Sequence, residues 1–175
     1  MKKYQMTPAM ANFKLVSINA EAESINSSDI YGWLDSSGLP SEISIRLKSL
    51  VELTKEVSGR IISIGRIVLM KIIEFVKAHP KFFIGIAVGA AIGALANMIP
   101  LVGGLLSSIT VPLGVFIGAY QGNRMDRNDQ GNSNNADSLF ESIPKDLIDI
   151  SLEFFQLLAE IFNVVFETKS SSTLR

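Results

Sequence analysis

Residues 82–120 carry no charged side chain, a run of 39 positions broken near its middle by Pro100. A helix rises about 1.5 Å per residue and the hydrocarbon core of a bilayer is about 30 Å thick, so one crossing takes about 20 apolar residues. A run of this length with a proline at its centre has room for two crossings. The spacing predicts a membrane helical hairpin of two transmembrane helices, 82–99 and 101–120, turning at Pro100, with the lipid bilayer as its partner. Helices satisfy their own backbone polar groups, which hydrocarbon requires.

The flanks set the orientation. Lys77 and Lys81 precede the run, and Arg124 and Arg127 follow it. Cationic flanks stay on the cytoplasmic side. Both termini are therefore expected in the cytoplasm, at a bacterial inner membrane, with Phe82, Phe83 and Tyr120 at one interface. Inside the run, Gly85, Gly89 and Gly93 recur every four residues. Gly114, Gly118 and Gly122 do the same, and Gly104 and Ser108 upstream repeat the four-residue spacing. In lipid, hydrophobicity gives one apolar helix no preference for another. Small residues at i and i+4 let backbones approach closely enough for van der Waals contact to hold helices together. These grooves are expected to pack the hairpin on itself or on further copies, giving a homo-oligomer. Composition alone also gives some regular spacing in a run with seven glycines.

The rest of the chain divides around this hairpin. Residues 1–40 are polar and mixed, and read as an N-terminal tail, poorly ordered or partly helical. They contain one apolar knot at 30–34 and a turn at 35–40. Residues 41–79 read as one long amphipathic basic helix with Ser41 as N-cap. Its apolar residues Ile43, Leu47, Leu50, Val57, Ile61, Ile64, Val68, Ile72 and Phe75 follow a three-four spacing, with Thr54 the one soft break and His79-Pro80 the end. The hairpin takes 80–122. Residues 123–137 are rich in Asn, Gly and Asp and read as a flexible linker. Residues 138–168 read as an amphipathic acidic helix. Its polar residues Asp146, Asp149, Glu153, Gln156, Glu160, Asn163 and Glu167 make one narrow stripe, so most of its circumference must be buried. Residues 169–175 read as a frayed tail. The fold class is all-α: the membrane hairpin flanked by two long amphipathic cytoplasmic helices.

Charge divides in the same way. Residues 41–81 hold eight basic and four acidic side chains, and residues 138–175 hold three basic and six acidic. The acidic helix is repelled by an anionic leaflet, so it is expected to pack on the basic one beside the membrane.

Several chemistries lack their residues. There is no cysteine and one histidine, His79, so ordinary zinc, iron and iron–sulfur sites have no ligand set. No G-x-x-x-x-G-K or G-x-G-x-x-G run is present, so no cofactor is expected. The net charge of −1 gives no general attraction to nucleic acid. The first residues have lysines but no apolar core of signal-peptide length. No catalytic, cofactor-binding or metal residues are assigned, and an enzyme is not expected.

Residues 80–126 resemble the bacterial glycine-zipper two-pass membrane segments through Gly85, Gly89, Gly93, Gly114, Gly118 and Gly122. The resemblance covers about a quarter of the chain and implies a membrane-embedded, oligomer-prone hairpin. Three functional expectations follow. One is a non-enzymatic integral membrane protein whose self-associating hairpin carries a scaffold or docking subunit. Another is a pore-forming or holin-like protein, with a variant that resembles colicin pore domains, in which amphipathic helices shelter an apolar hairpin until it inserts. The third is an accessory subunit of another membrane protein.

Overall fold

The computed structural model describes residues 5–79, 84–95 and 145–170. Helices make up 80% of them, with little strand, which places the chain in the all-α class.

The N-terminal stretch, expected as a poorly ordered or partly helical tail, forms two helices. In α1 (Pro8–Ser24), Thr7 is the N-cap, its side chain accepting from the Met10 amide at 3.3 Å, and Pro8 opens the first turn. Helix α1 buries Ala11, Leu15, Asn19 and Ala22. Three of these four are small or polar, so the buried stripe is faint in the sequence. Helix α2 (Ser27–Ser36) buries Ile30 and Leu34 from the apolar knot and ends at the expected turn, where Gly38 takes φ +82°.

The long basic helix is also corrected. Helix α3 (Ser41–Ser49) starts where expected, but Pro40 is its N-cap and Ser41 its first helical residue. A single 3-10 turn (Leu50–Glu52) then leads into an antiparallel hairpin of β1 (Lys55–Val57) and β2 (Arg60–Ile62), in which Val57 pairs with Arg60. The two connecting residues, Ser58 and Gly59, have φ of +54° and +75°. Positive φ at both central positions matches the twist of a tight hairpin and breaks a helix. The spacing of Val57, Ile61 and Ile64 looked helical. In the fold Val57 and Ile62 point into the core, while Ile61 is exposed.

Helix α4 (Ile64–Ala78) is the central element. Ile64, Ile67, Val68, Leu69, Met70, Ile72 and Phe75 are all buried, and His79 is its C-cap, as expected at His79-Pro80. Its N-terminus lies hard against the 3-10 turn. A Cβ on Gly65 would sit 1.5 Å from the Leu50 carbonyl oxygen, and the Gly65 amide donates to the Leu53 carbonyl at 3.1 Å. A polar network ties this end of α4 to α1 and α2. The Asn19 side-chain oxygen accepts from the Ser63 amide at 2.8 Å, and the Ser63 hydroxyl donates to Glu23 at 3.0 Å. The Arg66 guanidinium donates to the Ile25 carbonyl at 2.7 Å and to the Ser27 hydroxyl.

Helix α5 (Ile84–Leu95) packs on α4 and on α6 (Lys145–Ser170), and α1 packs on α4 and α6. The acidic helix thus runs two residues past its expected end. It packs on α1 and α5, and meets the expected basic partner through rings. Phe75 lies 5.2 Å from Phe154 and 5.8 Å from Phe155 by ring centroid, and the Lys55 ammonium sits 4.2 Å above the Phe166 ring.

Candidate functional site

The uncharged run enters the described structure as α5, with the sequence IGIAVGAAIGAL. No side chain in it can donate or accept a hydrogen bond. Its deepest residues are Ala87, Val88, Ala91 and Leu95, each 0% or 1% exposed, with Ile84, Ala90 and Ala94 at 7% beside them. The deepest four recur at three-four spacing, so one helical face fits between α4 and α6. Three of the four are smaller than leucine, and small side chains bring the helix axes close.

Two of the packing glycines can be compared with that face. Gly85 is buried and Gly89 half-buried, while Ile86 is also half-buried. The small-residue surface is therefore shared between alanines and glycines, and the alanines, not distinguished at the sequence level, are buried beside Val88 and Leu95. Gly93 lies in the same helix. Lys77 is exposed in the last turn of α4. Gly104, Ser108, Gly114, Gly118, Gly122, Pro100, Lys81, Phe82, Phe83, Tyr120, Arg124 and Arg127 lie outside the described residues, as do the second pass at 101–120 and the linker at 123–137.

At about 1.5 Å per residue the 12 residues of α5 extend about 18 Å. No helix among the described residues is long and apolar enough to cross a membrane.

The cover over α5 comes from helices with two contrasting faces. On α6, Phe155, Leu158, Ala159, Ile161, Phe162 and Val165 are buried. Of the polar stripe, Asp146, Asp149, Glu153, Gln156 and Glu160 are exposed and Asn163 is half-buried. On α4, Lys71 and Glu74 pair at 2.7 Å on the residual outer face. Helix α6 thus holds these carboxylates in water, Arg66 and Lys71 of α4 are partly buried and paired, and both helices turn apolar faces onto a helix that has no polar side of its own.

Sequence reasoning passed over Ile150 and Leu157, counted with the residues that α6 must bury. They are 43% and 52% exposed. Their seven-residue separation, matched by that of Asp146, Glu153 and Glu160, was the available signal. Among the described residues no group of three or more His, Asp or Glu side chains is placed to hold a metal ion. No family model, curated protein or solved structure matches this chain.

Proposed function

We propose that this chain is a non-enzymatic, membrane-inserting protein of the pore-forming class. The described part of its uncharged segment, α5, is carried within a helical core until it meets a bilayer, where the segment forms a helical hairpin and self-associates along its small-residue faces. The observation that supports this most directly is α5. It has no polar side chain, and yet it is packed between α4 and α6 with Ala87, Val88, Ala91 and Leu95 at 0–1% exposure. Such a helix gains from leaving water wherever it goes, because apolar burial is non-directional. Transfer from protein interior to lipid gives up packing but strands no hydrogen bond and no charge.

Purified full-length protein mixed with vesicles carrying a self-quenched dye is the test. Dye release, together with protein that floats with the vesicles through a density gradient, is the expected result. Absence of both defeats the reading. Gly89→Ile with Gly118→Ile should leave vesicle binding intact and reduce oligomers seen by cross-linking. Unchanged oligomers defeat the small-residue packing.

A second reading is an integral membrane scaffold at the bacterial inner membrane, both ends cytoplasmic, that docks another protein. The exposed apolar residues Ile150 and Leu157 on α6 favour it. Protein that resists alkaline carbonate extraction and releases no dye supports the scaffold over the pore.

A further inference from the structure

The outer side of α6 has a periodicity that membrane insertion leaves unused. Ile150, Leu157 and Val164 recur every seven residues, with Phe154 and Ile161 between them. This alternating spacing of four and three is the seam of a coiled coil. Ile150 and Leu157 are 43% and 52% exposed, Phe154 and Val164 are half-buried, and Ile161 is buried at the inner edge. The seam borders a groove of about 660 Å³ that Phe75 and His79 also line.

A second line runs beside the first. Asp146, Glu153 and Glu160 are also seven residues apart, and all are exposed. If the seam residues are the a and d positions of a heptad, these carboxylates occupy g. The other flanking position, e, is Ser151, Leu158 and Val165, each buried in the protein's own core. Only the acidic flank is therefore open to a visitor. Among the described residues lining the groove there is no lysine or arginine. Lys71 borders the small cleft on the other side of Leu157, where it is paired with Glu74 at 2.7 Å.

Charge then selects the occupant. A second copy in parallel would set its carboxylates against buried e positions. An antiparallel copy would set carboxylate against carboxylate. An anionic leaflet is repelled by the same line. What answers both the seam and its flank is a helix with apolar residues at three-four spacing and Lys or Arg on the side facing Asp146, Glu153 and Glu160. We propose that α6 docks a basic amphipathic helix of another protein, through Ile150, Phe154 and Leu157 and the adjoining carboxylates. This goes beyond the membrane reading and does not depend on it.

The test uses full-length protein and two labelled synthetic peptides of coiled-coil pattern. Both carry Ile and Leu at the seam, one with Lys at all flanking positions and the other with Glu. Fluorescence anisotropy should show saturable binding of the Lys peptide, weakening as salt is raised, and none of the Glu peptide. Leu157→Asp changes an exposed residue, so circular dichroism should match the parent while affinity falls about tenfold or more. Glu153→Lys with Glu160→Lys should reverse the peptide preference. The proposal is overturned if neither peptide binds, if both bind alike, or if Leu157→Asp leaves affinity unchanged. It is also overturned if sedimentation shows a dimer that Leu157→Asp dissociates, which would make the occupant a second copy.

Discussion

Helices α4 and α5 share one core and differ in what holds them there. Helix α4 is placed by directional contacts. Arg66 donates to the Ile25 carbonyl, Ser63 at its start is held by Asn19 and Glu23, and Gly65 fits against Leu50. Phe75 lies in a cluster with His79, Phe154 and Phe155. Helix α5 has only apolar side chains, and among the described residues it meets its neighbours through apolar burial. The contrast identifies which of the two can exchange one apolar surrounding for another. To enter lipid, α4 would carry Arg66, Lys71, Glu74 and Lys77 with it, and a basic residue at the centre of a membrane helix costs about 2.5–3.5 kcal/mol. Helix α5 would carry no charge.

The contrast is broken most directly at Phe75. Phe75→Ala empties the aromatic cluster and is expected to destabilise the fold by about 3–5 kcal/mol, read from urea unfolding by circular dichroism. A loss below about 1 kcal/mol would mean that α4 does not anchor the core. Gly65→Ala drives a methyl group into the Leu50 carbonyl and should cost about 3 kcal/mol in the same assay. A neutral result would show that the 3-10 turn yields easily and that the start of α4 is not fixed by close approach.

Ile86→Lys sharpens the comparison from the side of α5. Ile86 is half-buried, so a lysine there can run its stem along the surface and keep its ammonium in water. The folded state should lose about 1 kcal/mol or less, while transfer of that residue into lipid becomes about 3 kcal/mol less favourable. Vesicle partitioning, measured by flotation, should fall steeply with little change in the urea midpoint. The reverse pattern, a large loss of stability and unchanged partitioning, would make α5 a fixed core element like α4. The smallest effect on membrane transfer is expected at the network beside α4. Asn19→Ala leaves the Ser63 amide without its 2.8 Å acceptor and should cost about 1–2 kcal/mol, with vesicle partitioning unchanged or raised.

Some of this architecture is a local property of the chain, and there the sequence is a sufficient guide. The stripe from Asp146 to Glu160 is exposed as read, because an amphipathic helix with one narrow polar face has only one orientation that keeps its carboxylates in water. The stop at His79-Pro80 and the turn around Gly38 rest on backbone constraints of the residues present. The helix α1 was faint for a physical reason. Alanine and asparagine contribute little apolar contrast, and Ala11, Asn19 and Ala22 become a buried face only when α4 and α6 lie close enough to need small residues. The hairpin at Ser58-Gly59 competed with a helical spacing that fitted equally well. The close approach of Gly65 to Leu50 and the pairing of β1 with β2 settle it, and both join residues that local propensity treats separately.

Sequence alone established that 82–120 has no charge to keep in water, and that the C-terminal helix has one polar stripe and a wide apolar remainder. Those are properties of side chains at a helical period, whatever surrounds them. Tertiary structure decided that α5 lies between α4 and α6, and that Ile150 and Leu157 stay uncovered while Phe155 and Phe162 do not. All four are large apolar residues of one helix. Which of them meet water depends on how far neighbouring helices reach around its circumference, and no single helix encodes that distance.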